Sequence, residues 1–226
     1  MSFEARVLDC ANCGAPTAFL AAMCAYCRSP LTWHDVPTLR RGAPILEVDF
    51  SRGETLPGMH AVVGLETRPG QGVVIPIPAH RQVFLPGGAA RRDVALRVEA
   101  TALVPGVGFG LEMRVTSAGK GRASYAVKIL PWLRAFRLDR LLSLQTEAFV
   151  ETLRAPETVP QIGGPGEPVV LEARCADSIL SIHVGGVHIG TFVDARYGFG
   201  AHGLTVNGFE QAGGVLFKSF GLYEVA

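Results

Sequence analysis

Four cysteines fall within the first 27 residues of this 226-residue chain as two Cys-x2-Cys pairs, Cys10/Cys13 and Cys24/Cys27. A tight turn of this kind brings two thiolates about 3.5 to 4 Å apart, and two such turns complete the tetrahedron of ~2.3 Å Zn–S bonds used by closed structural sites. The surrounding residues suit the turns: Gly14-Ala15-Pro16 follows the first pair and Arg28-Ser29-Pro30 the second, so a proline stops each turn three residues after its last thiolate. The segment Thr17 to Met23, with Phe19 and Leu20, suffices for the return strands of a minimal hairpin and is too short for a core of its own. The metal has to be that core. The expectation is one structural Zn2+ per chain on Cys10, Cys13, Cys24 and Cys27, with no open position for catalysis.

Two disulfides or four inert thiols are the competing arrangements. Disulfide frameworks belong to secreted chains, whereas Met1 to Asp9 carries Glu4, Arg6 and Asp9 and no apolar run. A cytoplasmic location is therefore expected. The fifth cysteine, Cys175, adjoins the strand-like run Val169–Arg174 and reads as a small core residue.

The cysteine stretch resembles the zinc ribbons found at the ends of many bacterial and archaeal proteins. Cys10, Asn12, Cys13, Gly14, Ala15 and Pro16 match the first knuckle of that pattern; in the second, Arg28 stands where glycine is common, which makes a left-handed turn less comfortable and leaves the ligands untouched.

The rest of the chain is apolar enough, at 48% hydrophobic and 18% charged residues, to bury a sizeable core and to exclude a disordered protein. A formal charge of +1 argues against a nucleic-acid partner, because that affinity rests on phosphate neutralisation. Apolar runs are broken by proline, glycine or charge within about ten residues, short of the ~20 that a membrane-spanning helix needs. The 27 glycines and 15 prolines punctuate runs of alternating apolar residues at intervals of about eight to twelve, the rhythm of an antiparallel β-sandwich or barrel. This divides the chain into a zinc ribbon (1–32), a linker (33–44) and an all-β sandwich (45–226).

Strands are expected at Ile45–Phe50, Ala61–Leu65, Gly72–Ile77, Gln82–Leu85, Asp93–Val104, Gly108–Thr116, Ala123–Ile129 and Leu133–Leu144, then a loop-rich stretch over Gln145–Gly166. Five more follow at Val169–Arg174, Ile179–Val184, Val187–Val193, Gly198–Val206 and Gly214–Val225. In Gly108–Thr116, Phe109, Leu111, Met113 and Val115 share one face and Gly108, Gly110, Glu112 and Arg114 the other. Val184-Gly185-Gly186-Val187 is a two-residue hairpin with glycine at both central positions.

The order of elements, with Leu180–Ile189, Tyr197-Gly198-Phe199-Gly200 and Val215–Tyr223 as its tail, resembles the concanavalin A-like lectin/glucanase superfamily, and within it the bacterial laminin-G-like and glucanase-like jelly rolls. The resemblance covers residues 45–226 and implies fold more than function. Retaining glucanases of that superfamily carry a carboxylate cluster on one strand, with a pair about 5–5.5 Å apart; no such cluster occurs here. Glu47 and Asp49 share a face of the first strand and read as solvated, and Glu112 reads as one half of a cross-strand ion pair with a base such as Lys128. A lectin-type calcium loop is also missing, since Asn207 has no acidic neighbour before Glu210.

The remaining candidates are binding residues. His183 and His188 flank the hairpin and become directly opposed, which suits a metal or a pH sensor, or else a plain polar face. Trp132 and Tyr125 lead the aromatics that could stack on a sugar, with Phe136, Tyr197 and Trp33 behind them, against the competing role of core or loop anchor. Lys128, Arg134, Arg137 and Arg140 form either an ion-paired face or an anion patch. The reading that follows is a non-enzymatic, zinc-binding interaction or structural module with a protein partner; the alternative is a carbohydrate-binding module with a glycan partner, and a glycoside hydrolase ranks third.

Overall fold

The computed structural model describes residues 8–10, 12–17, 24, 26–29, 39–56, 59, 64–77, 83–84, 91–118, 121–143, 148–208 and 213–226. Among these, β1 (Leu8–Asp9) and β2 (Pro16–Thr17) pair antiparallel around the first cysteine turn. The sandwich strands are β3 (Arg41–Asp49), β4 (Glu66–Arg68), β5 (Gly72–Ile77), β6 (Val83–Phe84), β7 (Val94–Ala102), β8 (Val107–Ala118) and β9 (Gly121–Leu130). They continue as β10 (Ala135–Ser143), β11 (Ala148–Thr158), β12 (Pro168–Ala176), β13 (Ile179–Val184), β14 (Val187–Val193), β15 (Ala201–Gly208) and β16 (Gly213–Val225). They form two antiparallel sheets. One is six-stranded in the order β11-β10-β9-β8-β15-β6; the other is eight-stranded in the order β14-β13-β12-β7-β16-β5-β4, with β3 also paired to β16.

Alternation places the core. Val94, Leu96, Val98, Ala100 and Ala102 of β7 are buried against the other sheet, while Arg97, Glu99 and Thr101 between them are only partly buried on the outer side. From the six-stranded sheet Phe109, Leu111, Met113, Tyr125, Val127 and Ile129 face them. An edge-to-face contact between Phe109 of β8 and Phe217 of β16, with centroids 6.2 Å apart, joins the two layers. The glycine turn expected after β13 is present, with φ of +57° at Gly185 and +82° at Gly186, values a type I′ hairpin requires.

Three expectations need correction. The first sandwich strand begins at Arg41, ahead of Ile45, and its early residues pair with Tyr223 and Val225 of β16. The stretch Gln145–Gly166 is not mainly loop: β11 occupies Ala148–Thr158 and pairs with β10 as an edge strand, where Pro156 needs no hydrogen-bonded neighbour on its outer side. The alternation of β8 ends at Met113, because Arg114 takes φ +53° and a register shift follows before Thr116, a bulge that turns the strand. Arg114 is then fully buried, donating to the carbonyls of Tyr197 (3.0 Å) and Arg92 (3.1 Å). Of the expected strand Ala61–Leu65, residues 61–63 lie outside the described residues, and Gly64 sits in a turn. No helix among the described residues is long and apolar enough to cross a membrane.

Candidate functional site

The two cysteine turns repeat one backbone pattern. Cys10 N donates to Ala15 O (2.9 Å) and Gly14 N to Cys10 O (2.7 Å); Cys24 N donates to Ser29 O (2.9 Å) and Arg28 N to Cys24 O (2.9 Å). The residue after each second thiolate is left-handed, Gly14 at φ +67° and Arg28 at φ +56°, so the arginine accepts the conformation that the glycine pattern called for. The turns face each other with Cys10 Sγ 3.6 Å from Cys27 Sγ and Cys13 Sγ 3.7 Å from Cys24 Sγ. All four sulfurs lie within 4.8 Å of one another. A tetrahedron of ~2.3 Å bonds has edges of about 3.8 Å, so the thiols are compatible with a metal site. The Ser29 hydroxyl 3.3 Å from Cys27 Sγ, the Ser29 backbone and Asn12 lower the Cys27 thiol to about 5, which favours the thiolate that a metal requires.

A second arrangement lies on the outer face of the eight-stranded sheet. Strand pairing lines up Glu47, Gly221, Arg97, Glu172, His183 and His188 across β3, β16, β7, β12, β13 and β14. The histidines are opposed as expected, with ring centroids 5.1 Å apart, and they differ. His188 is exposed and its Nε2 lies 2.8 Å from Thr191 Oγ1, whereas His183 is buried and its Nδ1 has no hydrogen-bond partner among the described residues. Burial, then the positive charges of Arg174 and His188, push His183 down to about 4, so the ring is neutral. The pair acquires no third donor: the four cysteines are the only metal-competent cluster among the described residues.

Beside His183 on this face is a hollow of about 650 Å³ lined by Arg40, Arg41, Arg97, Arg174, Glu172, Val170 and the turn glycines Gly185 and Gly186. Glu172 is its one carboxylate among the described residues, and it is shared, with Oε2 3.0 Å from Arg41 and Oε1 2.6 Å from Arg174. Arg174 also donates to Leu39 O (2.6 Å). The Arg41 guanidinium stacks 4.8 Å over the Tyr223 ring, and that ring lies so close over Gly221 that any Cβ there would sit 2.3 Å from its hydroxyl. Tyr223 in turn donates to Glu47 (2.9 Å). Arg40 is fixed by a pair of backbone hydrogen bonds with Ala226. Sequence reasoning did not single out Arg40, Arg41, Glu172 or Arg174, because they meet only through the pairing of distant strands.

The other candidates occupy structural posts. Tyr125 is fully buried, donates to Asp194 Oδ1 (2.6 Å) and packs on Tyr197, so it cannot offer its ring to a sugar. Phe136 belongs to the core. Trp132 is half-buried in the 3-10 turn Pro131–Leu133 between β9 and β10 and does not line the hollow; Trp33 lies outside the described residues. Asp49 caps the turn after β3 by accepting from Ser51 N. Glu112 pairs with Arg122 (3.2 Å), and the base expected for it, Lys128, goes to Asp139 instead (2.7 Å) because β10 places that aspartate alongside. Arg137 completes the group at 2.6 Å from Asp139, and Arg140 pairs with Glu151 and Asp194. Lys128 and Arg137 thus belong to an ion-paired outer face, while Arg140, opposite Tyr125, makes its ion pairs from the other side of the strand.

No family model matches the sequence, and no curated protein matches it. Solved structures do match in fold. A Bacillus subtilis protein of unknown function with a galectin-like fold aligns at TM-score 0.58 and 9% identity, over 84% of this chain and 99% of that one. The carbohydrate-binding module CBM66 from Bacillus subtilis aligns at 0.53 and 13%, over 68% and 87%. A structure from work on endo-acting O-glycanases of the human gut microbiota that initiate mucin breakdown aligns at 0.53 and 9%, over 80% and 99%. The sandwich therefore has the jelly-roll fold of galectin-like and carbohydrate-binding modules.

Proposed function

We propose that the protein is a non-catalytic carbohydrate-binding module whose binding surface is the outer face of the eight-stranded sheet, with a zinc-held knuckle as a structural element. The observation that carries this reading is the hollow itself: about 650 Å³ on a sheet face, lined by hydrogen-bonding side chains whose positions are set by strand pairing and ion pairs. Planar guanidinium donors held in place lose little freedom when they engage hydroxyl or acidic oxygens. Its single carboxylate among the described residues, Glu172, is committed to two arginines, whereas carboxylate-pair hydrolysis needs two acids across the bond. A carbohydrate-binding module shares the fold, which supports the reading by analogy. Zinc fits the sulfur tetrahedron, and Cys10, Cys13, Cys24 and Cys27 would hold it.

A glycan-array screen of the full-length protein, with zinc content measured on the same preparation, tests both parts. Saccharide retention with about one zinc per chain is the expected outcome. An array without a bound saccharide overturns the carbohydrate reading and leaves the protein-docking one. That second reading rests on Tyr26, 71% exposed at the tip of the second cysteine turn, an apolar ring of the kind that anchors protein contacts.

A further inference from the structure

We infer that the arginine-lined hollow takes an acidic saccharide, one bearing a carboxylate or a sulfate ester, and that Arg97 and Arg40 supply the free contacts to that group. This rests on the carbohydrate reading above and specifies its ligand class.

The charge inventory of the lining is the starting point. Among the described residues Arg40, Arg41, Arg97 and Arg174 face one carboxylate, Glu172, and guanidinium stays charged at any pH the fold survives. Two of the four are spoken for: Arg41 and Arg174 bracket Glu172, and Arg174 spends a further donor on Leu39 O. Arg97 stands next to Glu172 in the same cross-strand row, and neither it nor Arg40 has a side-chain hydrogen bond or ion pair among the described residues. Each guanidinium carries five donors in a planar fork that matches a carboxylate or a sulfate in bidentate fashion. Beside this lining, buried His183, paired with Glu172 across β12 and β13, keeps an imidazole nitrogen without a partner among the described residues.

The floor and rim suit a sugar ring that carries the acid. Val170 and the turn glycines Gly185 and Gly186 are the other lining residues, and glycines admit close approach of a bulky ligand to backbone. A neutral saccharide would leave the unpaired guanidiniums without a partner for their charge, while an acid group would satisfy them. The chain as a whole carries only +1, so the surplus is local and a general polyanion binder is not implied.

The test is calorimetric titration of the full chain with two matched pairs: oligogalacturonate against neutral galacto-oligosaccharide, and dextran sulfate against dextran. Acidic members should bind at least tenfold tighter, and the comparison of the two pairs tells carboxylate from sulfate. Arg97→Ala and, independently, Arg40→Ala should each weaken acidic binding at least fivefold without lowering the melting temperature. Arg154→Ala, which removes the same charge from an exposed pair with Glu157 on β11, should leave it unchanged. Equal affinity for neutral and acidic members, equal losses for Arg97→Ala and Arg154→Ala, or equally tight binding of duplex DNA each overturns the inference and spares the carbohydrate reading where neutral saccharide is bound. Absence of binding to all four saccharides overturns both.

Discussion

On the outer face of the six-stranded sheet Lys128 and Arg137 close on Asp139 and Arg122 closes on Glu112, whereas on the eight-stranded sheet four arginines line one hollow with Glu172, which pairs with two of them, Arg41 and Arg174. On the first face every cation is ion-paired, three cations to two carboxylates, and the acids are buried: Asp139 is wholly inaccessible and Glu112 nearly so. The second is unmatched and open. Both faces looked alike in the sequence, each a strand series dotted with basic residues. What separates the two charge arrangements is the ratio of signs, and that ratio becomes visible only when the strands are placed in register.

The comparison breaks most readily at Asp139. Asp139→Ala leaves Lys128 buried without its counter-charge and should cost about 3–5 kcal/mol, read as a drop in denaturation midpoint. An effect below 1 kcal/mol would show that the six-stranded face is no more committed than the other.

The next largest effect is with pH. His202 on β15 is pushed down to about 4 by burial, its Nε2 lying 3.2 Å from Arg91 O and its Nδ1 accepting from Arg114 N. A histidine with a depressed folded value takes up its proton more readily when unfolded, so stability is full above the ordinary value near 6.5 and falls as pH drops toward 4. His202 alone should remove about 2 kcal/mol between pH 7 and pH 5, measured by chemical denaturation; a flat profile in that window would contradict it. His183 is likewise held down to about 4, first by burial and then by Arg174, and it stands beside the hollow whereas His202 lies on the other sheet. Acidic saccharide should therefore raise the His183 titration midpoint in NMR and leave His202 where it is.

Two smaller changes sharpen the picture. Arg28→Gly relieves a left-handed non-glycine residue, worth about 1 kcal/mol, and should raise zinc affinity about fivefold in chelator competition. Glu172→Gln removes the carboxylate that Arg41 and Arg174 share and should tighten binding of acidic saccharide. Loss of that binding would mean Glu172 positions the arginines in a way its removal destroys.

How far the sequence carried the argument depended on separation along the chain. The gathering of the four cysteines was legible from spacing alone, and the opposition of His183 to His188 followed from a two-glycine turn that fixes register. The buried role of Tyr125 was present in its alternation with Val127 and Ile129. The Arg97–Glu172 pairing was not legible, because no turn joins β7 to β12 and a shift of one residue would have sent Arg97 inward. Strand β11 was hidden by its exposed, charge-rich pattern, and the bulge at Arg114 by the absence of glycine where the backbone turns left-handed.

Strand β16 lies between β7 on one edge and β5 followed by β3 on the other, yet its partners all come from residues 41–102. During synthesis those partners leave the ribosome long before Gly213 does. The eight-stranded sheet must therefore wait with a vacant lane, bordered by unpaired edges of the kind that recruit strands from other chains. Closing that lane brings together residues some 170 positions apart, the slow step expected of a long-range strand pairing. Arg40, anchored to Ala226, takes its place in the hollow only then. The timing of translation thus sets when the hollow first exists in full.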